Sequence, residues 1–307
     1  MARLPHLRDG ADAPPVETKA LTKTFRDFWG RPKVRAVAGL DLSVARGEAF
    51  GLLGPNGSGK STTIRLLLGL LRPTSGEVRV LGGSPRDVRA KARIGFLPEE
   101  SAFYPHLTAE ETLRFYGSLF PASRREIRRR AGELLERVDL LGARGRRVGD
   151  FSKGMLRRLG LAQALLNDPE LVILDEPTSG LDPMGMREVK DIIVELRRRR
   201  KTVLLSSHLL ADVEDVCDRV AILYQGRLRA IGPLERLLED DTRISITTPR
   251  LSPETLEALR RLLREREGPA LPVEIRKPRT RLEEYFLRVV SSAAPEGDPK
   301  SANREAT

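Results

Sequence analysis

Gly54, Pro55, Asn56, Gly57, Ser58, Gly59, Lys60 and Ser61 set out a glycine, four residues, and then Gly-Lys-Ser, the spacing of a loop that wraps phosphates. Glycines let successive backbone N–H groups turn inward around an anion, the lysine adds a full positive charge, and a serine hydroxyl can ligate Mg²⁺. Thr62 continues the binding set into the helix that follows. A nucleoside triphosphate and its metal also need a carboxylate outside the loop. Leu171–Leu174 reads as a buried strand that ends in Asp175 and Glu176, and acids at the carboxyl end of such a strand face the ligand crevice. Asp175 is placed to hold Mg²⁺ through water, and Glu176 to act as general base on the attacking water. Taken alone, an acidic pair after a strand is usually a helix cap or a surface feature. The phosphate loop upstream turns it into catalytic equipment.

These residues need a scaffold that brings a loop and a strand end to one place. From about residue 17 to 240, short apolar runs alternate with helical stretches, the pattern of an α/β fold with helices flanking a sheet. Ala49–Leu53 and Val203–Ser206 read as further buried strands, and Ile64, Leu67, Leu68 and Leu71 recur on one face of a helix after the loop. Between about 102 and 165, Ala, Leu, Glu and Arg dominate and β-branched runs vanish, which predicts a helical insertion. Over 241–290 the pattern reads strand (RISITTP), helix (PETLEALRRLLRER), strand (PVEIRKP) and closing helix (TRLEEYFLRVV), a small α+β appendage. Residues 1–16 and 291–307 read as flexible tails.

Bulk properties bound the setting. The 307 residues are 40% apolar yet contain no uninterrupted apolar run of about 18, the length a membrane-spanning helix needs. The N-terminus lacks the apolar stretch of a secretory signal. One cysteine, Cys217, excludes an intramolecular disulfide or a cysteine metal cluster and reads as packed and inert. Together these predict a cytoplasmic chain. A net charge of +11 suggests an anionic partner, whether nucleotide, nucleic acid or membrane surface. The arginine runs at 124–130 and 197–201 fall on helical segments, where a solvated face is the simpler explanation.

The segments FSKGMLRRLGLAQALLNDPELVILDEPTSGLDP and SSHLL narrow the choice. They resemble the signature helix, second carboxylate motif, D-loop and switch histidine of ABC transporter ATPase subunits, and the resemblance covers roughly residues 17–240. It implies a P-loop, RecA-like ATPase core with an antiparallel β subdomain and an inserted α-helical subdomain. It also implies that two such domains pair head to tail, with each ATP held between one subunit's phosphate loop and the other's signature. Carried over, Ser152 and Gly154 contact the γ-phosphate bound by the partner chain, Asp182 lies across the seam, and His208 holds Glu176 and the water in line. Phe25, in LTKTF, matches the position that stacks on adenine; Phe28 and Trp29 compete, because DFWGRPKVR blurs the alignment. Glu99 stands where most relatives carry a metal-contacting glutamine. Lys153 and Met155 replace the usual glycine and glutamine of the signature.

These departures, and the closing RLEEYFLRVV, resemble the branch that serves ABC-2 type exporters. The implied partners are a second ABC ATPase subunit, in a homodimer or heterodimer, and a polytopic membrane permease, with the chain peripheral on the cytoplasmic face of the membrane. One rival reading is a soluble ABC ATPase acting on nucleic acid or ribosomes, prompted by the charge. Such relatives carry paired cassettes, a long coiled coil or zinc-binding insertions, which this sequence lacks. Another is a module that holds ATP without turnover, prompted by Glu99 and Lys153; the presence of Glu176 and His208 predicts turnover instead.

Overall fold

The computed structural model describes residues 13–238 and 251–267. In chain order the strands are β1 (Val16–Arg26), β2 (Pro32–Val44), β3 (Ala49–Leu53), β4 (Ser75–Val80), β5 (Ile94–Leu97), β6 (Leu171–Asp175), β7 (Thr202–Ser207), β8 (Arg219–Tyr224) and β9 (Arg227–Pro233). The helices are α1 (Lys60–Leu67), α2 (Val88–Lys91), α3 (Ala109–Gly117), α4 (Arg124–Arg137), α5 (Lys153–Leu165), α6 (Pro183–Arg198), α7 (Leu210–Glu214), α8 (Leu234–Leu238) and α9 (Pro253–Glu267). The described residues fall into two compact units divided between Leu237 and Leu238. Helix α9, expected from the sequence, belongs to the second; the other elements expected between 241 and 290 lie outside the described residues.

Strands β2, β1 and β4 form an antiparallel sheet in that order. The main sheet runs β5-β6-β7-β3-β8-β9, parallel throughout except for β9 at its edge. A parallel sheet covered on both faces reads as continuous apolar sequence, and β3, β6 and β7 are buried along their whole length. The period-two alternation of side chains sorts these runs between two cores. Ala49, Val172, Leu174, Val203 and Leu205 join the helical segments on one face. Phe50, Leu52, Leu171, Ile173 and Leu204 pack under α1 and the antiparallel sheet on the other.

Register aligns the chemistry. Leu53 pairs with Ser207, and Asp175 with Ser206, so β3, β6 and β7 end at one edge of the sheet. The phosphate loop, the acidic pair and His208 each follow one of these three strands.

Between 102 and 165 the structure holds α3, α4 and α5. Thr108 and Glu111 form a capping box at the start of α3, and Ser123 caps α4, giving each helix a local start signal. Two arginines of the run on α4 are paired locally: Arg129 with Glu126 at 2.6 Å and with Glu133 at 2.5 Å, and Arg130 with Glu126 at 2.8 Å. The Arg129 guanidinium, seconded by Arg130, holds the Glu126 carboxyl down to about 2. In the second run, Arg197 pairs with Asp218, Arg199 with Glu195 and Lys201 with Asp168.

Helix α1 ends earlier than its apolar spacing suggests. Leu70 N donates to Arg65 O and Gly69 N to Leu66 O, the bond pattern of a Schellman stop, so Leu71 packs from beyond the helix. Cys217 is buried, and its burial pushes the thiol far above its usual range, as expected of a packed cysteine.

Helix α5 lies directly against β5. A Cβ on Gly95 would stand 2.1 Å from the backbone oxygen of Ala164, so only glycine permits this approach. We expect Gly95→Ala to destabilise the fold by about 1–3 kcal/mol through overpacking. The expected readout is a lower denaturant midpoint at unchanged slope; a wild-type midpoint would show that α5 can move off the strand freely.

Candidate functional site

The loop 54–59 joins β3 to α1. Gly59, at the helix start, has φ +107°, and a Cβ there would stand 2.4 Å from Ala36 O; this left-handed turn aims the first N–H groups of α1 at an anion. Lys60 is 5% exposed. Its Nζ donates to Gly54 O at 2.6 Å and lies 3.2 Å from Glu176 Oε1.

Glu176 is the hub of the site. Its φ of 50° is left-handed for a residue with a Cβ, a strain of roughly 1–3 kcal/mol that native structures concentrate at functional positions. Its buried carboxylate bridges Lys60 on one oxygen and His208 Nδ1 on the other, at 2.8 Å. An ionised carboxylate only accepts, so Nδ1 carries the hydrogen and Nε2 remains for a second partner. Beside it Asp175 accepts from Ser206 Oγ at 2.5 Å and from Ser61 Oγ at 3.4 Å. Ser206 Oγ in turn accepts from Glu176 N at 3.0 Å, so one hydroxyl fixes both acids.

A cleft of about 820 Å³ opens over the loop. Pro55 to Thr62 line it, together with Phe25, Glu99, Glu176 and His208. Phe25, 39% exposed, lines it, whereas Phe28 and Trp29, at 94% and 78%, stack edge-on against each other and do not. Lys33 and Arg35 add two cations to the rim. Asp175 lies beneath Ser61 and does not face the cleft.

Ser152, Gly154 and Asp182 are absent from this lining. Ser152 caps α5 by accepting from Met155 N at 3.2 Å, and Asp182 caps α6 by accepting from Gly185 N at 2.9 Å. Lys153 lies along the turn at Gly180, where a Cβ would stand 2.9 Å from its Cε and Nζ. Two residues that sequence reading missed support the site: Ser206, which couples the two acids, and Arg157, a buried cation on α5.

The oxygen donors around Ser61 and Asp175 suit a hard divalent cation such as Mg²⁺. Among the described residues no three acidic, histidine or cysteine side chains form a metal cage. Ser58 Oγ, within the loop, is buried with no hydrogen-bond partner among the described residues.

A parallel sheet that gathers a phosphate loop, a strand-end Asp-Glu pair and a histidine at one edge defines a P-loop nucleoside triphosphatase. Residues 37–179 match the ABC transporter family. The chain is 47% identical over 74% of its length to an ABC transporter ATP-binding protein of Synechocystis, spanning 65% of that protein. It is 40% identical over 75% of its length to the linearmycin resistance ATP-binding protein of Bacillus subtilis, covering 76% of it. It is 41% identical over 78% of its length to a Nod factor export ATP-binding protein of Neorhizobium galegae, covering 67% of it. Among solved structures, an ATP-binding cassette captured as a dimer after hydrolysis, with ADP and Pi, matches with TM-score 0.66 and 27% identity over 71% of this chain and 98% of that one. The chain belongs to the ATP-binding proteins of ABC transporters, and its cassette is an ATPase of that class. No helix among the described residues is long and apolar enough to cross a membrane.

Proposed function

We propose that two such cassettes, either two copies of this chain or one copy and a second ABC ATPase subunit, close head to tail on two Mg-ATP and drive export through a separate polytopic membrane subunit at the cytoplasmic face. Lys60 and the loop N–H groups bind the phosphates, and Phe25 stacks on the base. Ser61, Asp175 and Glu99 serve the Mg²⁺, whose charge offsets that of the phosphates. Glu176 takes the proton of the attacking water, and His208 holds that carboxylate and the γ-phosphate in line.

The observation that carries the dimer is the placement of the signature. Ser152 caps the 13-residue helix α5 and Gly154 lies in its first turn, and neither lines the cleft over this chain's own phosphate loop. At Gly154 the chain itself does not require glycine, since a Cβ would meet nothing nearer than Leu181 Cδ2 at 3.6 Å. The missing side chain leaves space for a group from outside the chain. The dimeric cassette among the structural relatives supports this reading, and the export and resistance names of the sequence relatives support the direction of transport. Arg129 and Arg130 on α4, and Arg197 and Arg199 at the end of α6, are held by acids of the same unit and so lend no support to a nucleic-acid partner.

Gly154→Ala tests the reading. Alanine favours the helix by up to about 1 kcal/mol, so thermal stability should hold or rise. Turnover should fall by about 10-fold or more, because a misplaced partner surface costs alignment of the reacting groups. Wild-type turnover by this variant would argue that the signature contacts no nucleotide. Copurification of the tagged chain with a polytopic membrane protein tests the export reading; clean isolation with ribosomes or DNA instead would count against it.

A further inference from the structure

Arg157 is a charged side chain at 6% exposure, on the inner face of α5 rather than among the solvated arginines. Its Nε donates to Pro177 O at 3.0 Å and its Nη1 to Glu99 O at 2.9 Å and to Pro98 O. Its Nη2 donates to Asp175 O at 2.5 Å and to Glu176 O. All the acceptors are backbone carbonyls, and they come from two loops far apart in sequence: the Glu99 loop after β5 and the acidic turn after β6. Burial lowers the guanidinium's pKa to about 10, so the fold keeps a cation where its surroundings disfavour one. A buried charge of this kind is weak support for stability and better attested as a device that fixes one arrangement.

We propose that Arg157 is a positioning residue for hydrolysis: a planar fork that locks the Glu99 loop, the Asp175–Pro177 turn and the signature helix α5 into one body. The fork's reach explains why Glu176 can hold its left-handed φ, since its own carbonyl and its neighbours' are tied to the same guanidinium. It also makes α5 and the catalytic carboxylate move together. A displacement of the Glu99 loop or of the signature is then transmitted to Glu176 through one side chain. Lysine cannot replace it, because an ammonium is a point donor without the planar spread needed to span two loops. The proposal rests on Glu176 acting as the base.

The test compares Arg157→Lys, Arg157→Gln and Glu176→Gln with wild type in steady-state ATPase assays, and maps amide exchange. Both Arg157 variants should lose about 100-fold in kcat, the cost of an alignment error near 1 Å, with KM for ATP within about 3-fold because the phosphate loop is untouched. Amide exchange should quicken at Glu99, Glu100, Asp175, Glu176 and Thr178 and stay unchanged in β3 and α1. Wild-type kcat in Arg157→Lys, with Glu176→Gln inactive, would overturn the fork while leaving the base in place. Full turnover in Glu176→Gln would instead overturn the underlying assignment. Failure of both Arg157 variants to fold, or faster exchange throughout with an equal loss of ATP affinity, would make Arg157 a structural residue and refute the positioning role.

Discussion

Glu176→Gln should lower steady-state ATP turnover by about 10²–10⁴-fold, the range general-base catalysis contributes, and leave Mg-ATP bound. The two effects separate because two sets of atoms are responsible. The loop N–H groups, Lys60 and Ser61 are the proposed binding set at the start of α1; the charge on Lys60 remains in the variant, where it faces a neutral amide in place of the Glu176 carboxylate. The Glu176 carboxylate is the proposed proton acceptor, and the bond from His208 Nδ1 at 2.8 Å holds it in one orientation. Glutamine keeps the shape and can still contact His208, but it accepts no proton. Filter binding and a phosphate-release assay on the same preparation check both halves. Turnover within about threefold of wild type would remove Glu176 from the base role.

Lys60→Met has the second largest expected effect, and it should lower both ATP affinity and stability, for separable reasons. Losing a charge-assisted contact to the phosphates costs about 1.5–3 kcal/mol, roughly a 10- to 150-fold weaker Kd for Mg-ATP. The same substitution leaves Glu176 buried without its cation, since the Lys60 and Glu176 side chains are 5% and 7% exposed and 3.2 Å apart. Breaking such a pair costs about 3–5 kcal/mol; the value here should fall below that range because His208 retains one carboxylate oxygen. At about 2–4 °C per kcal/mol for a chain of this size, Tm in the absence of nucleotide should drop by several degrees. Mg-ATP should no longer raise it as strongly. The double variant Lys60→Met with Glu176→Gln should recover most of that Tm, and none of the ATP affinity, since it removes the unpaired charge without restoring the cation. Additive losses in the double variant would show that the pair is not coupled.

Much of the site was legible because its residues carry chemistry in contiguous motifs. The phosphate loop reads from glycine spacing alone, and β3, β6 and β7 read as uninterrupted apolar runs because both faces of the parallel sheet are covered. Their common edge follows from register, which no single run displays. Ser206 was hidden for that reason. It lies two residues before His208 in a segment recognised for its histidine, and its partners on β6 are about thirty positions away.

Arg157 was hidden by its type. An arginine beside Arg158 reads as surface charge, although its spacing with Leu161 and Leu165, four and eight residues on, follows the inner face of α5. That periodicity is the signal that could have found it. The choice among Phe25, Phe28 and Trp29 needed the path of the hairpin between β1 and β2, where Phe25 pairs with Val34 beside the cleft while the other two occupy the exposed turn. The arginines of α4 were readable as a solvated face, because Glu126 and Glu133 stand one helical turn from Arg129 and Arg130.

In the proposed mechanism each ATP is hydrolysed between two chains. The most direct measurement is the solution mass of purified Glu176→Gln chain by sedimentation, with and without saturating Mg-ATP. With the phosphate loop intact and the base removed, nucleotide should persist between the two surfaces, and the mass should double on adding Mg-ATP while bound ATP approaches one per chain. A monomer that binds one ATP per chain at every protein concentration, both alone and mixed with any second ABC ATPase subunit that copurifies with the chain, would contradict the account, because the signature at Ser152 and Gly154 would then have no nucleotide to contact.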